Sequence, residues 1–322
     1  MSRHAVVLLN LGGPDSPDAV EPFLRNLFGD HDIFRIPFGQ KIFAALIAKL
    51  RTPKVRERYA RIGGRSPINA WTELQAKKLE RAFVAEGREI DVHVGMRYWR
   101  PAIKDAAARL SEADASKIVL LPLYPQYSIT TTGSAFKEWQ RAYTGPPDRL
   151  AQIDHYCDNE MYIAAVNQRI DEAVLRFPEP VRDDIQIVFS AHGTPQRLVN
   201  QGDPYSGQIR KTVERVMAKR EFDHPHHLCF QSKVGPLQWL KPSTRETLAD
   251  LADKNIKQIL VVPISFVSDH IETLFELGIE YRETAVNAGI ENYVVMQGLN
   301  DSGLFVSALK DITLQALYPA AA

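Results

Sequence analysis

The sequence holds only two cysteines among its 322 residues, Cys157 and Cys229, far apart and without CxxC spacing. That scarcity excludes a disulfide framework, a zinc finger and a four-cysteine iron–sulfur site within one chain, and it fits a reducing cytosol. Charge of one sign is also missing, because 39 Lys+Arg balance 39 Asp+Glu. No global basic field then attracts nucleic acid, and any anion binding is local. No run of 18 apolar residues occurs, so nothing is expected to span a bilayer as a helix. The apolar start of MSRHAVVLLNLGGP reaches only Asn10 and a Gly-Gly-Pro turn without a cleavage-like site, which predicts a first core strand rather than a signal segment. What is present, 45% hydrophobic and 24% charged residues, is ordinary for a globular protein with room for two cored domains.

Short apolar runs at 5–9, 118–121, 185–189, 228–230 and 259–262 alternate with helix-like stretches, the pattern of an α/β fold with parallel sheets. The two halves echo each other. RYWRPAIKDAAARLSEADASKIVLLP aligns without gaps on LQWLKPSTRETLADLADKNIKQILVVP, pairing Pro101 with Pro242 and Pro122 with Pro263, both 141 positions on. The first strand with its GGP likewise matches 185–189 with its HGTP. The expectation is two similar Rossmann-like domains, each a parallel sheet flanked by helices. The first is predicted over 1–150 and completed by a C-terminal helix at 303–322 that packs back on it, and the second over 151–302.

Two motifs carry chemistry. VFSAHGTP places His192 after one apolar strand, and PISFVSDHIETLFELGIEY places Asp269, His270, Glu272, Glu276 and Glu280 after another. Ligands bind at that rim in open α/β sheets. Glu272, Glu276 and Glu280 recur at i, i+4 and i+8, one stripe of a helix, where mutual repulsion raises the proton affinity of at least one carboxylate. A solvated acidic face has the same pattern; Leu274, Phe275 and Ile279 on the other side favour an interior site, and Gly278 is expected to end the helix early. His192 sits between Ala191 and Gly193, small neighbours that admit a bulky planar ligand.

A third segment sets Ile42, Phe43, Leu46, Ile47 and Leu50 at helical spacing among Lys41, Lys49, Arg51, Lys54, Arg56, Arg58 and Arg61. This reads as an interfacial helix on anionic lipid, as the lip of a pocket for a flat apolar ligand bearing carboxylates, or as a core helix with solvated ends. HPHH (His224, His226, His227) is placed in a loop before the 228–230 strand and lacks a fourth ligand, and LGGP at Gly12 and Gly13 matches neither dinucleotide nor Walker spacing, so it is read as a tight turn.

LLNLGGP, RTPKVRERYARIGGRSPI, GMRYWRP, LPLYPQYSITTTGS, FSAHGTP, GDPY, FQSKVGPLQWLKPST and VPISFVSDHIETLFELGIEY occur in this order, and over nearly the whole chain they resemble the ferrochelatases. The resemblance implies insertion of Fe²⁺ into protoporphyrin IX to make protohaem, the terminal step of haem biosynthesis, with the porphyrin in a cleft between the two domains. It implies His192 and Glu272 as the catalytic and metal-handling pair on the two sides of the macrocycle, with Asp269, His270 and Glu276 extending a polar path. Release of two pyrrole protons calls for a base, and Fe²⁺ for borderline N and O donors; whether His192 takes the protons or delivers the metal stays open. The same resemblance lines the porphyrin pocket with Leu11, Tyr59, Ser66, Arg97, Tyr98, Tyr127 and Trp239, and sets Arg51 and Lys54 where propionates could be met.

Unlike animal members, this chain ends without a cysteine-bearing extension and carries Ile129 in YPQYSITTTG. No iron–sulfur cluster is therefore expected, and no cofactor beyond the substrate Fe²⁺. QYS, KPST and DHIET favour protoporphyrin over coproporphyrin III. The expected setting is cytoplasmic and monomeric, with peripheral contact to the inner membrane face through a lip at 33–50. The alternatives are a coproporphyrin III substrate, a non-catalytic haem or porphyrin carrier, and a cobalt or nickel chelatase of the same fold.

Overall fold

The computed structural model describes residues 4–34, 38–233 and 237–319; parts of the expected lip (35–37) and of the FQSKVGPLQWLKPST motif (234–236) lie outside them. The chain forms two compact units, 1–156 with 305–322, and 157–304.

In the first unit β1 (His4–Asn10), β2 (Ile90–Met96), β3 (Lys117–Pro122) and β4 (Leu150–Gln152) form a parallel sheet ordered β2-β1-β3-β4. Around it run α1 (Val20–Phe28), α2 (Gln40–Ala60), α3 (Ile68–Ala85), α4 (Ile103–Glu112) and α5 (Thr132–Ala142). The second unit holds α6 (Glu160–Val174), β5 (Gln186–His192), α7 (Gln196–Asn200), α8 (Tyr205–Lys219), β6 (His226–Gln231), α9 (Thr244–Asp253), β7 (Gln258–Pro263), a π-helix (Glu272–Tyr281), α10 (Arg282–Asn287) and β8 (Asn292–Val295). Its sheet is parallel in the order β6-β5-β7-β8. The closing helix α11 (Gly303–Leu317) buries Phe305, Val306, Leu309 and Ile312.

Sequence pattern explains which strands are central. β1, β3, β5 and β7 are covered on both faces and read as unbroken apolar runs, the signature of buried parallel strands. The edge strands β2, β4 and β8 are partly exposed and carry polar residues, and apolar runs alone do not reveal them. β6 begins at His226 rather than after HPHH: His226 and His227 are strand residues, and His227 Nε2 bonds Gln186 Oε1 at 2.7 Å, a side-chain link instead of a metal ligand.

The internal repeat is visible in backbone bonds. Leu123 N–H donates to Leu9 O (2.7 Å) and Ile264 N–H to Ser190 O (3.1 Å); Met96 N–H donates to Pro101 O (2.7 Å) and Phe230 N–H to Pro242 O (2.9 Å). Phe136 of α5 and Leu277 of the π-helix occupy matching core places, the first packed among Val7, Leu9 and Trp139, the second among Val188, Ile259 and Val261. Each such fully buried side chain contributes about 1.5–3 kcal/mol. In this register Leu11, two residues beyond Leu9, corresponds to His192, two beyond Ser190.

Helix α2 departs from the core-helix reading. Its buried face is Ala44, Ala48, Thr52 and Tyr59, while Ile42, Leu46 and Leu50 stand outside at 77%, 56% and 67% exposure, next to Phe38 at 92%. The small alanines let α1 and α2 approach, and the larger apolar side chains are left facing solvent.

Candidate active site

His192 is the last residue of β5, opposite Gln231 of β6. The next residue must be small: a Cβ on Gly193 would stand 2.6 Å from Gln231 O and 3.3 Å from the Trp239 ring. Residues 194–196 run antiparallel to 238–240, with Leu240 N–H bonding Thr194 O at 3.1 Å and Gln196 N–H bonding Gln238 O at 2.9 Å. Trp239, half-buried, is thus brought beside the His192–Gly193 peptide.

Opposite them the carboxylates ride on a helix of i→i+5 type, not the α-helix expected from the i, i+4 spacing. π-Helical bonding is rare and is frequently found at functional sites. Gly278 does not end it. The helix runs through to Tyr281 and continues as α10, and a Cβ at Gly278 would lie 3.3 Å from Thr273 O, five residues back. Its buried residues are Thr273, Phe275, Leu277 and Tyr281, whereas Leu274 and Ile279 are only half-buried.

Two of the three stripe carboxylates meet. His192 Nδ1 donates to Glu272 Oε2 at 2.9 Å. The Ser232 hydroxyl lies 3.2 Å from the same Glu272 oxygen and 2.6 Å from Glu276 Oε2, while Glu276 Oε1 accepts from Ser232 N–H (2.9 Å) and the Tyr281 hydroxyl (3.3 Å). Gln231 Nε2 reaches Glu272 Oε2 at 3.4 Å, and Gln231 Oε1 accepts from Ser190 Oγ at 2.7 Å. Glu280 turns away toward Arg245, 4.0 Å distant. The expectation of His192 and Glu272 on two sides of a macrocycle is corrected here: side chains in direct hydrogen-bond contact leave no room for a ring between them.

The electrostatics divide the carboxylates. Packing works against the charge of Glu272, but the His192 imidazole outweighs it and holds the carboxyl well below its usual range, with His270 and Ser232 assisting. Packing and the Glu272 charge both push Glu276 up, against the pull of Ser232. His192 resists its cation through packing, yet Glu272 and then Glu276 raise its pKa. His192 and Glu272 each favour the other's charged form, and Glu276 holds a proton more readily than an ordinary carboxyl. The Ser232 hydroxyl stands between the two carboxyls and links them.

Asp269 and His270 are nearby and differently occupied. Asp269 accepts from Thr273 Oγ1 (3.0 Å), from Gly298 N–H (3.2 and 3.3 Å) and from Asn300 Nδ2 (2.7 Å), while its own N–H donates to Asn300 Oδ1 (2.8 Å). A carboxylate so occupied ties the 298–300 loop to the head of the π-helix. His270 is buried, donates from Nδ1 to Ser268 O (3.1 Å) and packs 4.3 Å from the Phe266 ring, and burial lowers its pKa.

In the first unit Tyr98 and Arg97 converge on a residue the motifs gave no reason to select, Asp30. Its Oδ2 accepts from the Tyr98 hydroxyl (2.5 Å) and Ser134 Oγ (2.6 Å) and pairs with Arg97 Nη2 (2.9 Å); Arg97 Nε bonds Ser134 Oγ (2.8 Å), and its guanidinium stacks 4.9 Å over the Tyr98 ring. Asp30 follows α1 in a loop with no distinctive pattern, so only the fold exposes it. Tyr59, Ser66 and Tyr98, expected in the pocket lining, are 3–5% exposed. Leu11 and Tyr127 are half-buried, and Arg51 and Lys54 are exposed on α2. The LGGP turn is tied by Asn69, which bonds Gly13 N and O at 3.0 and 2.8 Å, and a Cβ at Gly12 (φ +78) would strike Trp99 at 2.8 Å.

Comparison with known proteins agrees with these motifs. The sequence model of the ferrochelatase family matches residues 3–317. A ferrochelatase of Gloeobacter violaceus is 44% identical over 324 residues, covering 98% of each chain, and one of Aquifex aeolicus is 46% identical over 313 residues, covering 96% of this chain and 98% of its own. Among solved structures, a multi-domain Deinococcus radiodurans protein described as similar to chelatases superposes with a TM-score of 0.59 at 10% identity, over all of this chain and 56% of that one; that likeness concerns the fold alone.

Proposed function

The chain belongs to the ferrochelatase family, metal-chelating lyases of haem biosynthesis, and from that premise we propose that it inserts Fe²⁺ into protoporphyrin IX. The observation that supports the site assignment is the His192–Glu272–Ser232–Glu276 cluster. Insertion breaks two pyrrole N–H bonds, forms Fe–N bonds and releases two protons. An imidazole and a carboxylate in contact supply the borderline N and O donors that suit Fe²⁺. With His192 neutral, its imidazole takes a pyrrole proton as the Fe–N bonds form, and the imidazolium so produced is held by Glu272 until the proton passes to solvent. Glu276 and Ser232 form the next station for protons leaving the macrocycle. The pair acts from one face as a single unit.

The exposed apolar row Phe38, Ile42, Leu46 and Leu50, with Lys41, Lys49, Arg51 and Lys54 around it, supports a lip that meets a flat, largely apolar porphyrin and rests on an anionic membrane surface. It favours protoporphyrin over the more carboxylated coproporphyrin III. No helix among the described residues is long and apolar enough to cross a membrane, so the membrane reading is peripheral, in a cytoplasmic monomer. Both cysteines are buried, and two cysteines are too few for a resident four-cysteine cluster.

The test is anaerobic insertion with Fe²⁺ and either porphyrin, read by absorbance, beside His192→Ala and Glu272→Ala. Turnover of protoporphyrin that collapses in both variants supports the proposal; preferred turnover of coproporphyrin III overturns the substrate, and tight porphyrin binding without turnover makes the protein a carrier.

A further inference from the structure

The side chain of His192 is held by Glu272, but a side chain is only as well placed as its backbone. Both main-chain polar groups of His192 are bonded to buried hydroxyls. Its N–H donates to Ser265 Oγ at 2.9 Å, and its carbonyl accepts from the Tyr205 hydroxyl at 2.9 Å. Ser265 and Tyr205 are each 6% exposed. Ser265 Oγ accepts and Tyr205 Oη donates, so two buried hydroxyls satisfy the donor and the acceptor of the same residue.

These two bonds join three separate pieces of the second unit. His192 ends β5, Ser265 lies in the turn after β7, and Tyr205 opens α8, where Asp203 Oδ1 accepts its N–H at 2.9 Å. The pairing of β5 with β7 ends at Ser190, and on that side main-chain groups without a partner would turn to water. The two hydroxyls replace the missing strand partners at His192, the position the chemistry uses.

We infer that Tyr205 and Ser265 are positioning residues for insertion, which lock the His192 backbone so that its imidazole stays aimed at Glu272 and the incoming metal. The inference rests on the reading of His192 as the residue that handles protons and metal. Loss of either hydroxyl takes the bonded partner from one of these main-chain groups. A small misplacement of a reacting group costs rate rather than substrate affinity, so kcat is expected to fall about tenfold with the porphyrin KM unchanged.

The experiment compares Tyr205→Phe, Ser265→Ala, the double variant and His192→Ala, each shown to be folded by its thermal melt, for anaerobic Fe²⁺ insertion. Histidine ¹⁵N spectra, with the His192 signal identified by its loss in His192→Ala, accompany the kinetics. Each single variant is expected to lose about tenfold in kcat, the double variant to lose less than the product of the singles, because both hydroxyls hold one residue, and the His192 ring signal to shift or broaden in folded Tyr205→Phe. Full kcat in both singles, losses that multiply in the double, or an unmoved His192 signal would overturn it while His192→Ala is inactive. An active His192→Ala would overturn the reading of His192 and this inference with it.

Discussion

His192 Nδ1 and Glu272 Oε2 stand 2.9 Å apart although 80 residues separate them in the chain, and each moves the other's proton equilibrium toward the charged form. Glu272→Gln removes the carboxylate that raises His192. If insertion needs the neutral imidazole, the wild-type rate climbs with pH through an apparent pKa above the ordinary 6.5 of histidine, and in Glu272→Gln the residual activity has that limb displaced to lower pH. A pH–rate profile of kcat/KM for both proteins measures it, and an unmoved limb counts against the pair.

The same pair gives stability its own pH window. His192, raised in the folded state, contributes stability that is complete below 6.5 and is lost as pH rises through its folded pKa. Glu272, lowered, contributes stability that is present above 4.5 and is lost as pH falls through its folded pKa. The difference in melting temperature between wild type and Glu272→Gln is therefore largest between these values and shrinks on both sides. Melts across pH 4–9 show it; a difference independent of pH would refute the linkage.

Glu276 and Glu280 are one helical step apart in sequence and face different partners, Ser232 and Arg245. Glu276→Gln is expected to slow insertion by about tenfold or more, the scale of a lost proton-transfer partner, and Glu280→Gln to leave it near wild type. Steady-state insertion rates decide, and equal effects would mean that the whole stripe acts together.

Asp269 and Asn300 act as one clamp. Asn300→Ala leaves a buried carboxylate short of donors at a cost of about 1–3 kcal/mol. The expected sign is a lowered denaturant midpoint together with faster amide exchange across Glu272–Tyr281, and unchanged exchange there would count against the clamp.

Asp30 is the buried counter-ion of Arg97 and the acceptor for Tyr98 and Ser134. Asp30→Ala leaves the guanidinium, at 11% exposure, to its longer pair with Glu138 at 3.6 Å, which costs up to about 3–5 kcal/mol. Chemical denaturation measures it, and a change within ±0.5 kcal/mol, typical of a surface site, would contradict the burial.

Ile42 and Leu46 project from α2 into solvent. Replacing both by Glu should leave the melting temperature nearly unchanged, as exposed substitutions do, and abolish co-sedimentation with anionic phospholipid vesicles. Retained sedimentation would move the membrane contact elsewhere.

The sequence by itself determined the central strands, the duplicated halves and the place of His192 and Glu272 at the rim of the sheet. Parallel strands covered on both faces leave unbroken apolar runs, and the polar residue that follows such a run marks the rim of the sheet, so His192 and Glu272 were legible from pattern and spacing. Tertiary structure decided the rest. A carboxylate stripe at i, i+4 looks much the same on an α-helix and on a π-helix, because side-chain periodicity barely separates i→i+4 from i→i+5 bonding; only the backbone shows that the helix passes Gly278. Which carboxylates share Ser232, that Asp269 is an anchor, that Tyr98 points into Asp30 and that Ile42 and Leu46 face outward all depend on partners brought from distant segments. Hydrogen bonds and close packing act over a few ångströms of space, and that proximity is set by the fold.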